Sequence, residues 1–283
     1  MDSFDQAPPP LVGLRGRQRI APFTLARPGS IGDALALRQT PRSAWMAGGV
    51  DLIDDLKHGI RLDRIIPLGG LGELGAIERS GGGVRIGALT TYQQLAEDAT
   101  VREVAPALAA MIGGVANFRI RSKATVGGSI MSRSGMYDLM PALLASGATL
   151  IFAGTRGEER LPAAHLGQGE TRLLTAVELP AGIVLRIDRS LRPAVCVYVG
   201  AALRDNAVAE IRAATSCAHA RPAVAIADAG SASFSDTDFL TERLAAGLPE
   251  PVGDGVASSS YRARMIRVLI RRLLETPFAE QRP

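Results

Sequence analysis

The chain is poor in metal-ligating residues: Cys196 and Cys217 are its only cysteines, and His58, His165 and His219 its only histidines. No C-x-x-C or H-E-x-x-H spacing occurs, so no zinc motif is encoded. Four thiolates for an iron–sulfur cluster cannot come from two cysteines. Both cysteines lie in apolar, strand-like runs, AVCVYVGAAL and IRAATSCA, where buried thiols are common and a disulfide is possible without being needed. No apolar stretch reaches the roughly 18–20 residues that cross a bilayer, and the first residues hold no hydrophobic signal core. The expectation is a cytoplasmic protein with no membrane span. Charge of one sign is also scarce: 32 Lys and Arg stand against 28 Asp and Glu. The basic residues form no continuous tract, which argues against a nucleic-acid groove.

What the chain has in plenty is glycine, 31 residues of 283, about 1.5 times ordinary usage. Many backbone positions must therefore turn sharply or lie close to something. Residues 1–19 carry a proline triplet and then Arg15, Arg17 and Arg19 among glycines, which reads as an extension or linker facing solvent or a partner. Ser30 is placed to cap a short helix (IGDALAL), and SAWMA reads as a buried strand. That strand runs through Ala47-Gly48-Gly49 into the helical pattern VDLIDDLKHG. A second strand (DRIIPL) precedes a hairpin in AIERSGGGVRIGALT, its turn at Gly81 to Gly83. Thr90 or Thr91 caps a helix with Tyr92 and Leu95, and VREVAPALAAMIGG reads as one further helix.

A second glycine pair, Gly127-Gly128, follows the short run KATV; then comes the apolar helix LMPALLAS, with Asp138 at its N-cap. From about residue 148 to 218 strands come in series, which argues for a predominantly antiparallel sheet. In the last helix, SSSYRARMIRVLIRRLLE, the spacing puts Tyr261, Met265, Val268, Leu269 and Leu273 on one inward face. Arg262, Arg264, Arg267 and Arg271 spread over a basic outer face that could dock an acidic partner.

A glycine pair between a strand and a helix lets a ligand approach the backbone and points successive N–H groups at an anion. One such turn is weak evidence, because it also serves simple packing. Two, in AGGVDL and TVGGSI, would suit a diphosphate held from both sides. Neither extends to G-x-G-x-x-G, and no G-x-x-x-x-G-K-[ST] occurs, so dinucleotide-fold and P-loop readings fail at the motif.

The ordered series FTLARPGSIGDALAL, AGGVDLIDDLK, VRIGALTTYQQLAED, NFRIRSKATVGGSIMSRSGMYDLMPALLASGATLIF and LLTAVELP resembles the FAD-binding medium subunit of molybdenum hydroxylases, the xanthine dehydrogenase and carbon monoxide dehydrogenase family. The likeness covers about residues 20–275. It implies an α+β fold: a two-lobed FAD-binding domain of the vanillyl-alcohol oxidase (PCMH) type, with FAD between the lobes, plus a C-terminal antiparallel sheet with helices. The implied division is 1–19 extension, 20–62 first lobe, 63–180 second lobe and 181–283 C-terminal domain. The cofactor contacts implied by position are Met46, Ala47, Gly48, Gly49, Val50, Asp51, Leu52 and Ile53 in the first turn, and Thr125, Val126, Gly127, Gly128 and Ser129 in the second. Asp138 falls on the flavin-contacting aspartate of the D-L-x-P motif. Val115, ten positions before Thr125, lines the cofactor in such proteins, and Leu173 or Leu174 falls at an apolar flavin contact.

The chain also departs from that pattern. Val50 stands where many relatives have Thr, and Ser129 where they have Asn or Asp. Each change removes a side-chain hydrogen bond worth ~1 kcal/mol. The lysine common after the LP strand has Arg186 as its nearest basic counterpart, and the connection from His165 to Thr171 is short.

The resemblance implies no substrate hydroxylation and no catalytic acid or base in this chain. A molybdopterin-binding large subunit would oxidise the substrate, a [2Fe-2S] small subunit would relay electrons singly, and FAD here would pass them to NAD+, a quinone or oxygen. Two alternatives stand beside this reading: a stand-alone flavin oxidoreductase, and an assembly subunit with weakened FAD binding.

Overall fold

A computed structural model of the chain describes residues 20–132, 134–154, 157–167, 170–189, 193–204, 207–228, 236–275 and 278. The expected extension 1–19, with Arg15, Arg17 and Arg19, lies outside the described residues. The chain divides into two compact units, one ending at Leu71 and the other starting at Gly72.

The first unit contains β1 (Thr24–Leu25), α1 (Ile31–Arg38), β2 (Ser43–Met46), α2 (Val50–Lys57) and β3 (Arg64–Pro67). The strands form a parallel sheet in the order β1-β3-β2. Thus β3, placed by sequence in the second lobe (63–180), hydrogen-bonds between both other strands of the first unit. As anticipated, Ser30 caps α1, its side chain accepting from the Asp33 N–H at 3.1 Å. Ala34, Leu56, Ile65, Ile66, Leu68 and Leu71 are buried. The lone tryptophan, Trp45, is half-buried and donates through Nε1 to the Ala34 carbonyl at 3.0 Å, tying β2 to α1.

The second unit begins with the hairpin β4 (Ile77–Ser80) and β5 (Gly83–Gly87), turning at Gly81-Gly82. Six helices follow: α3 (Tyr92–Glu97), α4 (Ala99–Val104), α5 (Pro106–Gly113), α6 (Phe118–Arg121), α7 (Val126–Ser132) and α8 (Leu139–Ala145). Thr91 caps α3 in a capping box with Gln94. The single helix expected from VREVAPALAAMIGG is two, α4 and α5. Pro106 disfavours the helical region for the residue before it, and Ala105 sits at φ −139, ψ 61.

Strands β6 (Thr149–Gly154), β7 (Gly157–Pro162) and β8 (Leu174–Leu179) join the hairpin in an antiparallel sheet of order β4-β5-β8-β6-β7. A second antiparallel sheet, β12-β11-β10-β9, comprises β9 (Ile183–Asp188), β10 (Cys196–Arg204), β11 (Ala207–Ser216) and β12 (Ala223–Asp228). The strand series read from the sequence is therefore shared between two sheets.

The run AVCVYVGAAL is apolar throughout because β10 is covered on both faces. Cys196 and Tyr198 pack into a core with α8, Val177 and Phe152, while Val197, Val199 and Ala201 face α9 (Thr237–Gly247) and α10 (Ser259–Leu274). Every residue of α8 is buried. Each large aliphatic side chain so placed contributes about 1.5–3 kcal/mol.

The inward face of α10 differs from the expected one. Arg262, Ile266, Leu269, Ile270 and Leu274 are buried, whereas Tyr261 and Val268 are exposed. The buried stripe starts at Arg262, 2% exposed, whose guanidinium donates to the carbonyls of Ala194 and Val252 and to Asp254 at 2.7–2.9 Å. Outer arginines meet acids of the same chain: Arg267 pairs with Glu242, Arg271 with Asp238 and Arg272 with Asp188. The basic face proposed for an acidic partner is thus largely neutralised internally. Among the described residues no helix is long and apolar enough to cross a membrane.

Candidate functional site

The first glycine turn lies in the first unit, between β2 and α2. Gly49 takes the N-cap position at φ 76, ψ 5, a left-handed conformation that L side chains rarely adopt. No side chain caps this end. The first helical bond runs from the Ile53 N–H to the Gly49 carbonyl at 3.1 Å. The N–H groups of Val50, Asp51 and Leu52 lie ahead of that bond, in the first turn of the helix. They carry the positive end of the helix dipole. All of Met46 to Ile53 is half-buried. A Cβ added at Gly49 would meet only ordinary contacts, Met46 Sδ at 3.4 Å and Ile53 Cγ1 at 3.6 Å, so backbone strain rather than space demands glycine here.

The second glycine pair, in the second unit, is built differently. No strand precedes it: Thr125 forms an isolated bridge with Thr91, and the helix α7 already begins at Val126. Its leading N–H groups are consumed. Val126 donates to the Thr90 carbonyl, Gly127 to the Ala88 carbonyl, Gly128 to Thr125 Oγ1 and Ser129 to the Thr125 carbonyl, at 2.7–3.1 Å. A Cβ on Gly127 would fall 2.8 Å from Ala88 Cβ and 2.9 Å from its carbonyl oxygen. Glycine at 127 is therefore required by close approach of α7 to the chain at Ala88. The outward-pointing donors expected of this turn are not displayed, because the Ala88 and Thr90 carbonyls and Thr125 accept them.

Asp138 stands at the N-cap position of α8 but its side chain makes no capping bond, contrary to the expected cap. The carboxylate, 7% exposed, turns toward the β10–β11 sheet. Oδ2 accepts from Arg189 Nε at 2.7 Å, and Oδ1 accepts from the Tyr198 hydroxyl at 2.5 Å and from Ser216 Oγ at 3.4 Å. Burial and the neighbouring Asp138 charge push the Tyr198 phenol well above its usual range. The sequence reading did not single out Arg189, Tyr198 or Ser216. The one signal for Tyr198 was a polar tip inside an apolar run, which needs a partner when buried.

Val115, Val126 and Leu174 share one hydrophobic cluster, Val115 at its half-buried margin. Leu173 and Leu174 are both 3% exposed. Arg186 stacks on Phe278 at 3.9 Å and donates to the Leu273 carbonyl, which ties it to the end of α10. His58 is exposed; its Nδ1 lies 2.8 Å from the Asp54 carbonyl, so this ring closes the C-terminal end of α2. The connection from His165 to Thr171 lies partly outside the described residues. Among the described residues no group of three potential ligands could hold a metal ion.

These elements define a two-lobed α+β flavin-binding fold of the PCMH type, followed by an antiparallel sheet with helices. Solved structures share it: carbon monoxide dehydrogenase from Hydrogenophaga pseudoflava superposes with a TM-score of 0.80 at 22% identity, covering 93% of this chain and 99% of that one. By sequence, the glyceraldehyde dehydrogenase medium chain of Sulfolobus acidocaldarius is 26% identical over 87% of this chain and 95% of its own length. The xanthine dehydrogenase FAD-binding subunit of Escherichia coli O157:H7 is 33% identical over 52% of each chain. Residues 21–182 match the family described as the FAD binding domain in molybdopterin dehydrogenase, and the chain belongs to that oxidoreductase flavoprotein family.

Proposed function

We propose that this chain binds FAD and acts as the electron-transfer subunit of a molybdenum hydroxylase complex. Family membership across residues 21–182 supports the cofactor. The observation in the structure that supports the reading is the left-handed Gly49 turn at the start of α2, where no N-cap side chain stands in front of the helix and the positive end of its dipole suits a phosphate oxygen of the FAD diphosphate. FAD, when bound, supplies one-electron and two-electron transfer. In the first unit Met46 to Ile53 are the residues proposed for the diphosphate; in the second, Thr125 to Ser129 are proposed as cofactor contacts, and Val115 and Leu174 belong to one apolar cluster. Asp138, proposed as a flavin contact, is held by Arg189 and Tyr198. Partners of the complex are a molybdopterin-binding large subunit and a [2Fe-2S] small subunit, and the final acceptor is NAD+, a quinone or oxygen. Curated relatives named as dehydrogenase medium chains support this assembly.

A second reading, an assembly subunit with weakened FAD binding, is favoured by one observation: the donors at 126–129 and both Asp138 oxygens are already committed within the unit. Titration of the purified protein with FAD, followed by flavin fluorescence and chromatography of acid-released flavin, separates the two. Stoichiometric FAD lost in Gly49→Asp, with circular dichroism unchanged, supports the main reading. A wild-type protein that takes up no FAD overturns it.

A further inference from the structure

Cys196 opens β10, and its partner across the antiparallel pair is Ser216, the last residue of β11. Side chains directly opposite one another share a face of the sheet. An extended residue after Ser216 would point to the other face. Cys217 instead has φ 62, one of three positive-φ non-glycine residues among those described. Such a conformation is uncommon for a residue with a Cβ and calls for a reason. Here it brings the Cys217 thiol to the Cys196 side: Cys217 Sγ lies 3.9 Å from Ser216 Oγ, the side chain directly across the ladder from Cys196. The interaction between the two thiols lowers the pKa of Cys217 and, together with burial, raises that of Cys196. Both thiols are buried, Cys217 at 7% exposure and Cys196 at 0%. Both are free thiols, and the chain has no other cysteine.

We propose that Cys196 and Cys217 form a reversibly oxidisable dithiol, a modification site at the joined ends of β10 and β11 whose oxidant is a hydroperoxide. The Cys217 thiolate attacks the O–O bond; an S–O bond forms, the O–O bond breaks, and the departing hydroxide or alkoxide takes a proton. Sulfur is oxidised to the sulfenic acid and the peroxide is reduced. The Cys196 sulfur then attacks Cys217; the S–S bond forms, the S–O bond breaks, and hydroxide leaves with the Cys196 proton as water. Two thiols and one hydrogen peroxide give one disulfide and two waters. The neighbours of Cys217 transmit the change: its N–H donates to the Gly135 carbonyl at 2.7 Å, and its Sγ lies 3.9 Å from Ser216 Oγ, which bonds Asp138. The disulfide therefore stiffens the segment that carries Asp138.

The folded, full-length protein is treated with hydrogen peroxide, unfolded in an alkylating reagent and weighed by mass spectrometry. Loss of two hydrogens, absence of alkylation at both cysteines, a linked 196–217 peptide pair and reversal by dithiothreitol support the proposal. In Cys196→Ser the reaction should stop at a sulfenic acid on Cys217, trapped by dimedone. Two alkylatable thiols surviving in the folded protein, under peroxide that oxidises the unfolded chain, overturn it. So does a disulfide found only between two molecules. The wild-type measurement decides even if the variant does not fold.

Discussion

Gly127→Ala separates packing from ligand contact at the second glycine pair. Inside a helix alanine is preferred over glycine by about 1 kcal/mol, an upper bound for Gly127 in the first turn of α7, so propensity alone predicts a more stable protein. The structure reverses the sign. The new Cβ would sit 2.8 Å from Ala88 Cβ, 2.9 Å from its carbonyl oxygen and 3.3 Å from its Cα. These are backbone and first side-chain atoms, which cannot swing aside. Overpacking of that kind costs about 1–3 kcal/mol, and moving α7 away stretches the 2.7 Å bond from the Gly127 N–H to Ala88, worth ~1 kcal/mol. The net expectation is a destabilisation of about 1–3 kcal/mol. For a unit of this size that lowers the melting midpoint by roughly 2–12 °C. Thermal or urea unfolding of flavin-free protein, followed by far-ultraviolet circular dichroism, reads the effect without any ligand contribution. Adding Ala88→Gly removes the Cβ–Cβ clash but leaves the carbonyl in place, so the double variant should recover only part of the loss. An unfolding midpoint equal to wild type for Gly127→Ala would refute the packing argument. Lost FAD binding at unchanged stability would return Gly127 to a ligand role.

Two further expectations rest on ion pairs. Asp138→Asn keeps the shape of the side chain but leaves Arg189, 23% exposed, without its counter-charge. Full burial of such a broken pair costs about 3–5 kcal/mol, so partial exposure reduces the expectation to ~2 kcal/mol. A double-mutant cycle with Arg189→Gln should give a coupling of about 0.5–3 kcal/mol, and strictly additive effects would contradict the ion pair. Glu170 is held down at about 2 by its hydrogen bonds from Arg172. A depressed carboxylate contributes stability above its unfolded value, near 4.5, that is lost as pH falls toward about 2. Glu170→Gln should be less stable than wild type at neutral pH, and the gap between them should close across that acid window; a gap independent of pH would rule this linkage out.

Several elements were legible locally because their signals are local. Ser30 and Thr91 cap helices in a single turn of backbone, and Gly81-Gly82 closes a hairpin between adjacent strands. The break between α4 and α5 was signalled by Pro106 but missed, because the apolar run on either side reads as one helix. The inward face of α10 was not. Periodicity from Tyr261 and periodicity from Arg262 differ by one residue, and the choice depends on the Ala194 and Val252 carbonyls and Asp254, reached only in the folded chain.

Residue order alone determined the family, through short motifs in sequence, and the helix-capping and turn chemistry that acts over a few residues. It could not tell the two glycine pairs apart, since both read as small residues ahead of a helix. Only tertiary structure did, by setting Ala88, Thr90 and Thr125 against one helix start and leaving the other, behind Gly49, uncapped. Likewise the sequence marked Asp138, while the fold decided that its carboxylate would face Arg189, Tyr198 and Ser216 rather than its own helix. A hydrogen bond to residues 51 to 78 positions away has no local signature. It exists only once β10 and β11 have paired against α8.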